Sequence, residues 1–394
     1  MSDRKDEKLN NGDLREIKSL IGDADSGGFS LDDILAEFGG NPSARPGGIP
    51  VRPKRDSRDG RDKVVAFPGA AKQPEPEEEP DEAEEQPETP GEEDTGKLQV
   101  VCTLFPYYDF VRAIGGDRVE PYLLVTAGRE AHSFEPTPLD VIRISQADVF
   151  ICNGGESETW VDDILDAAGE SIGSVVHMMD HAHVLGEEFS EGMQGGHDHD
   201  EHTHDEHDGH DHDGHEEEIG YDEHIWTSPR IAMDLCRVIA DTLAQADPAH
   251  AQEYQDRLTA YLRELTDLDR AFRDAVEAGQ RHLLVFGDRF PLLYFCREYG
   301  LDYRAAFHGC SGDTEPSLAT LKYLIDKVNQ EDIPVVYTIE LSSQKVANAI
   351  AETTGARVLS FHSCQTLTRQ EFDGGETYLS LMWKNVDVLK EGLA

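Results

Sequence analysis

From residue 98 onward, apolar positions switch between a strand-like run and a helical stripe. LQVVCTLF (98–105) is a short β-rich run, YYDFVRAIGG (107–116) has helical spacing, and VEPYLLVT (119–126) returns to strand. VIRISQADVFICNG (141–154) repeats the move, a helix end feeding a buried strand at Val149 to Cys152, and SVVHMMD (174–180) is a further short strand. Pro229 to Gln245 predicts one helix. Pro248 to Gly279 predicts a second, with Tyr254, Leu258, Tyr261, Leu262, Leu265, Leu268 and Phe272 on an i, i+3/i+4 stripe. Beyond it the alternation resumes: HLLVFGD (282–288) strand, FPLLYFCREYG (290–300) helix, SLATLKYLIDKVNQ (317–330) helix, VVYTIEL (335–341) strand, KVANAIAETTG (345–355) helix, VLSFHS (358–363) strand, and a closing helix from Thr377 to Leu393. Such alternation favours parallel sheets with helices on their faces. The pattern therefore predicts an α/β fold of two lobes with mainly parallel sheets, one at 98–247 and one at 280–394, joined by a long rigid helix over 248–279.

The first 97 residues break this pattern. Pro/Gly-rich and basic stretches at 39–63 precede the acidic run QPEPEEEPDEAEEQPETPGEED (73–94), a composition that buries too little apolar surface to offset chain entropy. This segment predicts a disordered, charged tail. One island, Ser30 to Phe38, carries a capping signature at Ser30 and Asp33 and an apolar cluster of Leu31, Ile34, Leu35 and Phe38, the pattern of a docking helix or of a frayed turn.

Composition narrows the chemistry. The 394 residues carry a formal charge of −45 with only 38% hydrophobic residues. Nucleic acid and anionic lipid are repelled by such a charge, whereas cations are attracted. The six cysteines, Cys102, Cys152, Cys236, Cys296, Cys310 and Cys364, form no CxxC pair, so neither a zinc ribbon nor a redox motif is written here. No stretch approaches the roughly 20 apolar residues that span a bilayer, and the polar N-terminus reads without the apolar core of an export signal.

The candidate chemistry is metal binding. GGHDHDEHTHDEHDGHDHDGHEEE, within an expected loop at 195–218, holds His197, His199, His202, His204, His207, His210, His212 and His215 among carboxylates, with no apolar residue to pack. Imidazoles suit zinc, copper and nickel, and they ligate as the neutral form, so binding weakens below about pH 6. A loop of this kind captures ions loosely. A specific site needs isolated ligands on rigid elements, and His132 (AGREAHSFEPTPLD) and His224 (YDEHIWTSP) each stand just before a proline-opened helix.

GREAHSFEPTP, the histidine-rich loop, DEHIWTSP and the closing ETYLSLM, in that order, resemble the zinc and manganese solute-binding proteins of ABC transporters, specifically the zinc-uptake branch. The resemblance covers residues 98–394. It implies a metal in the cleft between two α/β lobes, delivery of that ion to a membrane permease, a monomer, and a cell-surface or periplasmic location, although the chain reads without an export signal. His132 and His224 match the two histidine ligands of the first lobe. In the second lobe, FGDRFPLLYF puts Gly287 or Asp288 in the ligand register, which leaves Asp288, and His362 in SFHSCQTLT stands where an acidic ligand is usual. Glu340, His308 and Glu130 are further candidates for contact with the metal or support of its ligands. Cys310 and Cys364 follow the His308 and His362 loops at the same offset, as a disulfide if exported or as thiols near the metal if cytosolic. Histidine-dominated ligation favours Zn2+ over Mn2+ or another divalent transition metal. The expected function is high-affinity zinc capture for an ABC uptake transporter, without enzymatic activity, since no HExxH or comparable motif appears. The alternative is an intracellular zinc buffer or metallochaperone on the same scaffold.

Overall fold

A computed structural model describes residues 96–168, 172–193, 220–309 and 316–394. The expected tail up to residue 95, the Ser30–Phe38 island, the histidine-rich loop and Cys310 lie outside the described residues. Among the described residues, no helix is long and apolar enough to cross a membrane.

The first sheet contains β1 (Leu98–Cys102), β2 (Val119–Leu123), β3 (Val149–Cys152) and β4 (Ser174–His177) in the order β2-β1-β3-β4, all parallel. The second contains β5 (Leu283–Phe290), β6 (Asp302–His308), β7 (Val335–Thr338) and β8 (Arg357–Ser360) in the order β6-β5-β7-β8, again all parallel. Parallel strands need helical crossovers, and covering both faces makes central strands read as unbroken apolar runs. Hence β3 (VFIC) and β7 (VVYT) are buried at every position.

The crossovers are α1 (Phe105–Gly115), α2 (Pro138–Ser145) and α3 (Trp160–Ala168) in the first lobe. In the second they are α6 (Leu293–Tyr299), α7 (Leu318–Gln330) and α8 (Lys345–Thr354), followed by α9 (Arg369–Asp373) and the closing α10 (Tyr378–Leu393). Between the lobes run α4 (Pro229–Ala246) and α5 (Ala251–Ala278). The 28 residues of α5 extend for about 42 Å and bury the predicted stripe, Tyr254, Leu258, Tyr261, Leu265, Leu268 and Phe272. Leu262 is only partly buried, at the margin of that stripe. The chain from Gly96 to Ala394 belongs to one compact unit, and α10 returns across it. There Asp109 of α1 accepts a hydrogen bond from the Tyr378 amide (2.8 Å), and the Tyr378 hydroxyl donates to the Trp226 carbonyl (2.7 Å).

Three local expectations are corrected. DYRAAFH forms β6, so His308 is the last residue of a strand rather than part of a loop after one. Phe290 belongs to β5, and the helix after it starts only at Leu293, because Pro291 cannot extend a strand ladder and Leu292 precedes the first helical turn. β7 stops at Thr338, leaving Glu340 in a turn whose next residue, Leu341, has φ 58°, a left-handed conformation incompatible with a continuing strand.

Candidate metal site

In a doubly wound parallel sheet, ligands bind beyond the carboxyl ends of the strands, where the strand order reverses. Both sheets reverse at their centre, and the expected site residues lie in the loops leaving these ends. The His132 loop follows β2. It closes on the capping box of α2, where Thr137 and Asp140 exchange side-chain and backbone hydrogen bonds ahead of Pro138. His224 precedes a short 3-10 turn, Ile225–Thr227, and the N-cap of α4, where Ser228 accepts from the Ile231 amide and Pro229 opens the helix. Proline and capping residue together fix each loop's exit.

The structure brings these two histidines together. Their ring centroids are 5.6 Å apart, edge to face. His224 is fully buried, and its orientation is fixed from three sides. Asp222 Oδ1 accepts from both its amide (2.9 Å) and its ring Nδ1 (3.1 Å), the Thr227 hydroxyl donates to its carbonyl, and Trp226 stands edge-on at 5.5 Å. With Nδ1 donating to a carboxylate, the free lone pair sits on Nε2, which is buried without a hydrogen-bond partner. A carboxylate that fixes the tautomer of an imidazole is the arrangement by which metal-ligating histidines are oriented. His132 is half-buried, with Nε2 3.3 Å from the Gln365 side-chain nitrogen.

The two imidazoles differ electrostatically. Burial, then His224 and Arg289, push the pKa of His132 down to about 3, against the opposing pull of Glu187. Burial also disfavours protonation of His224, but Asp222, Glu223 and Glu187 outweigh it and raise its pKa above the ordinary imidazole value. The field that raises it is negative, and therefore also attracts a metal cation.

The second lobe contributes differently. The loop after β8 is pinned to the first lobe: Trp226 Nε1 donates to the Ser363 carbonyl (2.9 Å), and the Gly128 amide to the Leu367 carbonyl (2.7 Å). That pinning places Gln365, not His362, against His132. His362 is buried: its Nδ1 accepts the Cys364 amide (2.9 Å), and its Nε2 has no hydrogen-bond partner, with Glu371 Oε2 3.9 Å away. The Asn385 side chain accepts from its amide (2.8 Å) and donates to its carbonyl (2.7 Å). Glu340 accepts from the amide and hydroxyl of Ser363. Cys364, at φ 64°, is a buried free thiol.

Asp288, Glu340 and Glu130 line a cavity of about 200 Å³ with Arg289 and Lys345, and Glu340 Oε2 is also 3.6 Å from His362 Nδ1. Arg289 Nη1 is 3.3 Å from Glu130 Oε1, an ion pair across the cleft, and Asp288 Oδ1 accepts from the Arg289 amide (2.9 Å). His308 pairs with Glu187 (2.5 Å). Among the described residues, no three or more His, Cys, Asp or Glu side chains are arranged to hold a metal ion. Of the expected set of His132, His224, His362 and Asp288, the structure brings the rings of His132 and His224 together at 5.6 Å, while His362 Nε2 and Asp288 Oδ2, like His224 Nε2, are buried without a hydrogen-bond partner.

Sequence reasoning missed Asp222, Arg289, Gln365 and Glu187. Asp222 carried a signal, standing two residues before His224, the i, i+2 reach by which aspartate caps a local backbone amide. Arg289 and Gln365 carried none, since only the pinning of the loops brings them to the histidines.

This geometry defines a two-lobed α/β binding protein with an oriented imidazole pair in its cleft. The chain belongs to the zinc-uptake complex component A periplasmic family, ZnuA, whose model matches residues 100–392. It is 32% identical over 299 residues to the zinc-binding lipoprotein AdcA of Streptococcus pneumoniae, covering 75% of this chain and 56% of that protein. It is 32% identical over 298 residues to the high-affinity zinc uptake system protein ZnuA of Bacillus subtilis, covering 75% and 88%. The chain thus spans about half the length of AdcA. Its fold matches the Zn(II)-bound ZnuA-like domain of S. pneumoniae AdcA with a TM-score of 0.60 at 28% identity, over 76% of this chain and 99% of that one. The metal-dependent lipoprotein YcdH of B. subtilis matches with a TM-score of 0.62 at 28% identity, over 76% and 100%.

Proposed function

We propose that this protein captures Zn2+ and hands it to the membrane permease of an ABC uptake transporter. His132 and His224 hold the ion in the interlobe cleft. The observation that carries this reading is the buried, partnerless Nε2 of His224, aimed by Asp222 and set beside the His132 ring. Two neutral imidazoles with restricted motion suit zinc better than manganese, which prefers oxygen donors. Low pH displaces the ion, because each ligand must be unprotonated to bind. The histidine-rich loop, His197 to His215, gathers ions nearby at lower affinity. The protein works as a monomer outside the cytoplasmic membrane, performs no chemistry on its cargo and takes no nucleic acid as partner. Family membership favours this transport role over an intracellular buffer.

Zinc titration against a competing chelator tests the reading on three forms of the protein. The wild type and a variant lacking residues 197–215 are each expected to hold one tight ion. A variant with both His132 and His224 changed to Ala is expected to lose it and keep only weak binding by the loop. Loss of the tight ion from the loop deletion, or its retention by the double variant, overturns the assignment.

A further inference from the structure

Two imidazoles leave the double charge of a zinc ion uncompensated, and most acids around the pair are committed. Asp222 holds Nδ1 of His224, and Glu223 accepts from the amide and hydroxyl of Ser157. Glu130 pairs with Arg289, and Glu340 holds Ser363. Asp288 Oδ1 accepts from the Arg289 amide, and its Oδ2 is buried without a hydrogen-bond partner in the cavity beside Glu130 and Glu340. Glu187 is paired as well, through its carboxylate to an imidazole. It is fixed by a short antiparallel bridge between Gly186 and Tyr221, in which its amide donates to the Gly220 carbonyl (2.8 Å) and the Asp222 amide donates to the Leu185 carbonyl (2.9 Å). The bridge thus ties Glu187 to the segment that carries His224. Its carboxylate is hydrogen-bonded to the His308 ring. The residue after His308, Gly309, packs directly on His224: a Cβ there would lie 3.1 Å from Cε1, the ring atom next to the free Nε2. Glu187 lies within electrostatic reach of both His132 and His224.

We propose that Glu187 is an exchangeable third ligand of the bound ion, resting on His308 in the empty protein and turning onto the metal held by His132 and His224 when zinc arrives. This rests on the assignment of those two histidines as ligands. A hydrogen bond between a carboxylate and a partly exposed imidazole is readily traded for a bond to a divalent cation, and the His308 N–H released by the exchange is left facing water. The negative ligand lowers the net charge of the site, and the backbone bridge limits the motion to the Glu187 side chain. His308 is then a holding residue that competes with the metal for the carboxylate.

The test compares Zn2+ affinities of the full chain, measured by chelator competition, for Glu187→Gln, His308→Ala and the double variant at His132 and His224, with thermal melts confirming folding. The expected results are a loss of about 10- to 100-fold for Glu187→Gln, and unchanged or tighter binding for His308→Ala. A Glu187→Gln protein within about twofold of wild type overturns the proposal. So does an equal loss in both single variants, which identifies the Glu187–His308 contact as a structural clamp. If the double histidine variant keeps the tight ion, the underlying site assignment fails, whatever the Glu187 result. A zinc-loaded wild-type crystal structure decides the matter without any variant. Glu187 oxygen at about 2.0–2.2 Å from the metal supports the proposal, and a carboxylate still on His308 overturns it.

Discussion

The two lobes share one topology and divide the work unequally. Each sheet runs in the order second, first, third, fourth strand, and each presents the loops at its carboxyl edge to the same cleft. Yet the first lobe offers two imidazoles face to edge with one nitrogen freed by a buried carboxylate, whereas the second offers a guanidinium, an amide and one buried imidazole, His362, whose Nδ1 is taken by a backbone amide and whose Nε2 is unpartnered. A shared fold therefore says where a ligand site lies and nothing about which lobe supplies its donors. Affinity is expected to reside in the first lobe and shape in the second. His224→Ala is expected to cost at least about a hundredfold in zinc affinity, or about 2.7 kcal/mol. His362→Ala is expected to change affinity by less than about threefold, while lowering stability by about 1–3 kcal/mol through the unpaired Cys364 amide. Chelator competition and thermal melts on both variants would falsify the division if His362→Ala proved as damaging to binding as His224→Ala.

The orientation of His224 is the next point of leverage. Replacing Asp222 with Asn keeps an oxygen near the ring but removes the charge that selects the tautomer. A loss of about 10- to 100-fold in zinc affinity is expected, with little change in melting temperature. An unchanged affinity would mean that Trp226 and the Thr227 contact alone aim the ring.

Much of this arrangement was legible from the chain. The order of strands and helices, the stripe of the long helix and the two histidines before capped helices are local signals, each carried by a few neighbouring residues. The second lobe was less legible, for physical reasons. The extent of β6, which runs through His308, was not legible because DYRAAFH mixes an exposed aspartate and an arginine into a strand at the sheet edge, without the continuous apolar run of a central strand. His362 read as a candidate ligand from its position, whereas its hold on the protein, an Nδ1 accepting the Cys364 amide and a backbone clasped by Asn385 23 residues away, is set by contacts no local window contains. Arg289 and Gln365 reach the histidines only through long-range docking of loops, which no window of sequence contains.

The back of the molecule ties the lobes by a buried carboxylate. Asp109 of the first lobe accepts from the amide of Tyr378 at the start of the closing helix, and burial raises its pKa to about 6 despite that hydrogen bond and Arg112. A carboxyl group with a raised native pKa binds its proton more tightly in the folded state, so its contribution is most favourable below about pH 4 and is lost as pH rises through about 6. Asp109→Asn keeps the acceptor and removes the charge. A gain of about 1–3 kcal/mol is expected at pH 8, shrinking toward zero or reversing at pH 4. Thermal melts across that range check it, and a variant less stable at pH 8 would show that the ionised carboxylate is needed to hold the lobes together.

A modest effect is expected at Arg289, and it tests whether the second lobe opposes the ion or merely encloses it. The guanidinium disfavours positive charge on His132, so it also disfavours a divalent cation beside that ring. Its ion pair with Glu130 screens part of this field and bridges the lobes. Arg289→Gln removes the repulsion and leaves Glu130 as an uncompensated negative charge near the cleft, and both changes favour the cation. At the separations and screening of a partly exposed cleft, zinc affinity is expected to rise by about 3- to 10-fold. The gain should fade toward 1 M salt, where the screening length falls to about 3 Å. Changing Glu130 to Gln in the wild type should have the opposite sign, since it leaves the guanidinium unpaired. Weaker binding by Arg289→Gln would reverse the interpretation, making the Arg289–Glu130 pair a contact that holds the cleft closed over its cargo. The second lobe would then contribute affinity through closure, and the inequality between the lobes would be one of chemistry but not of energy.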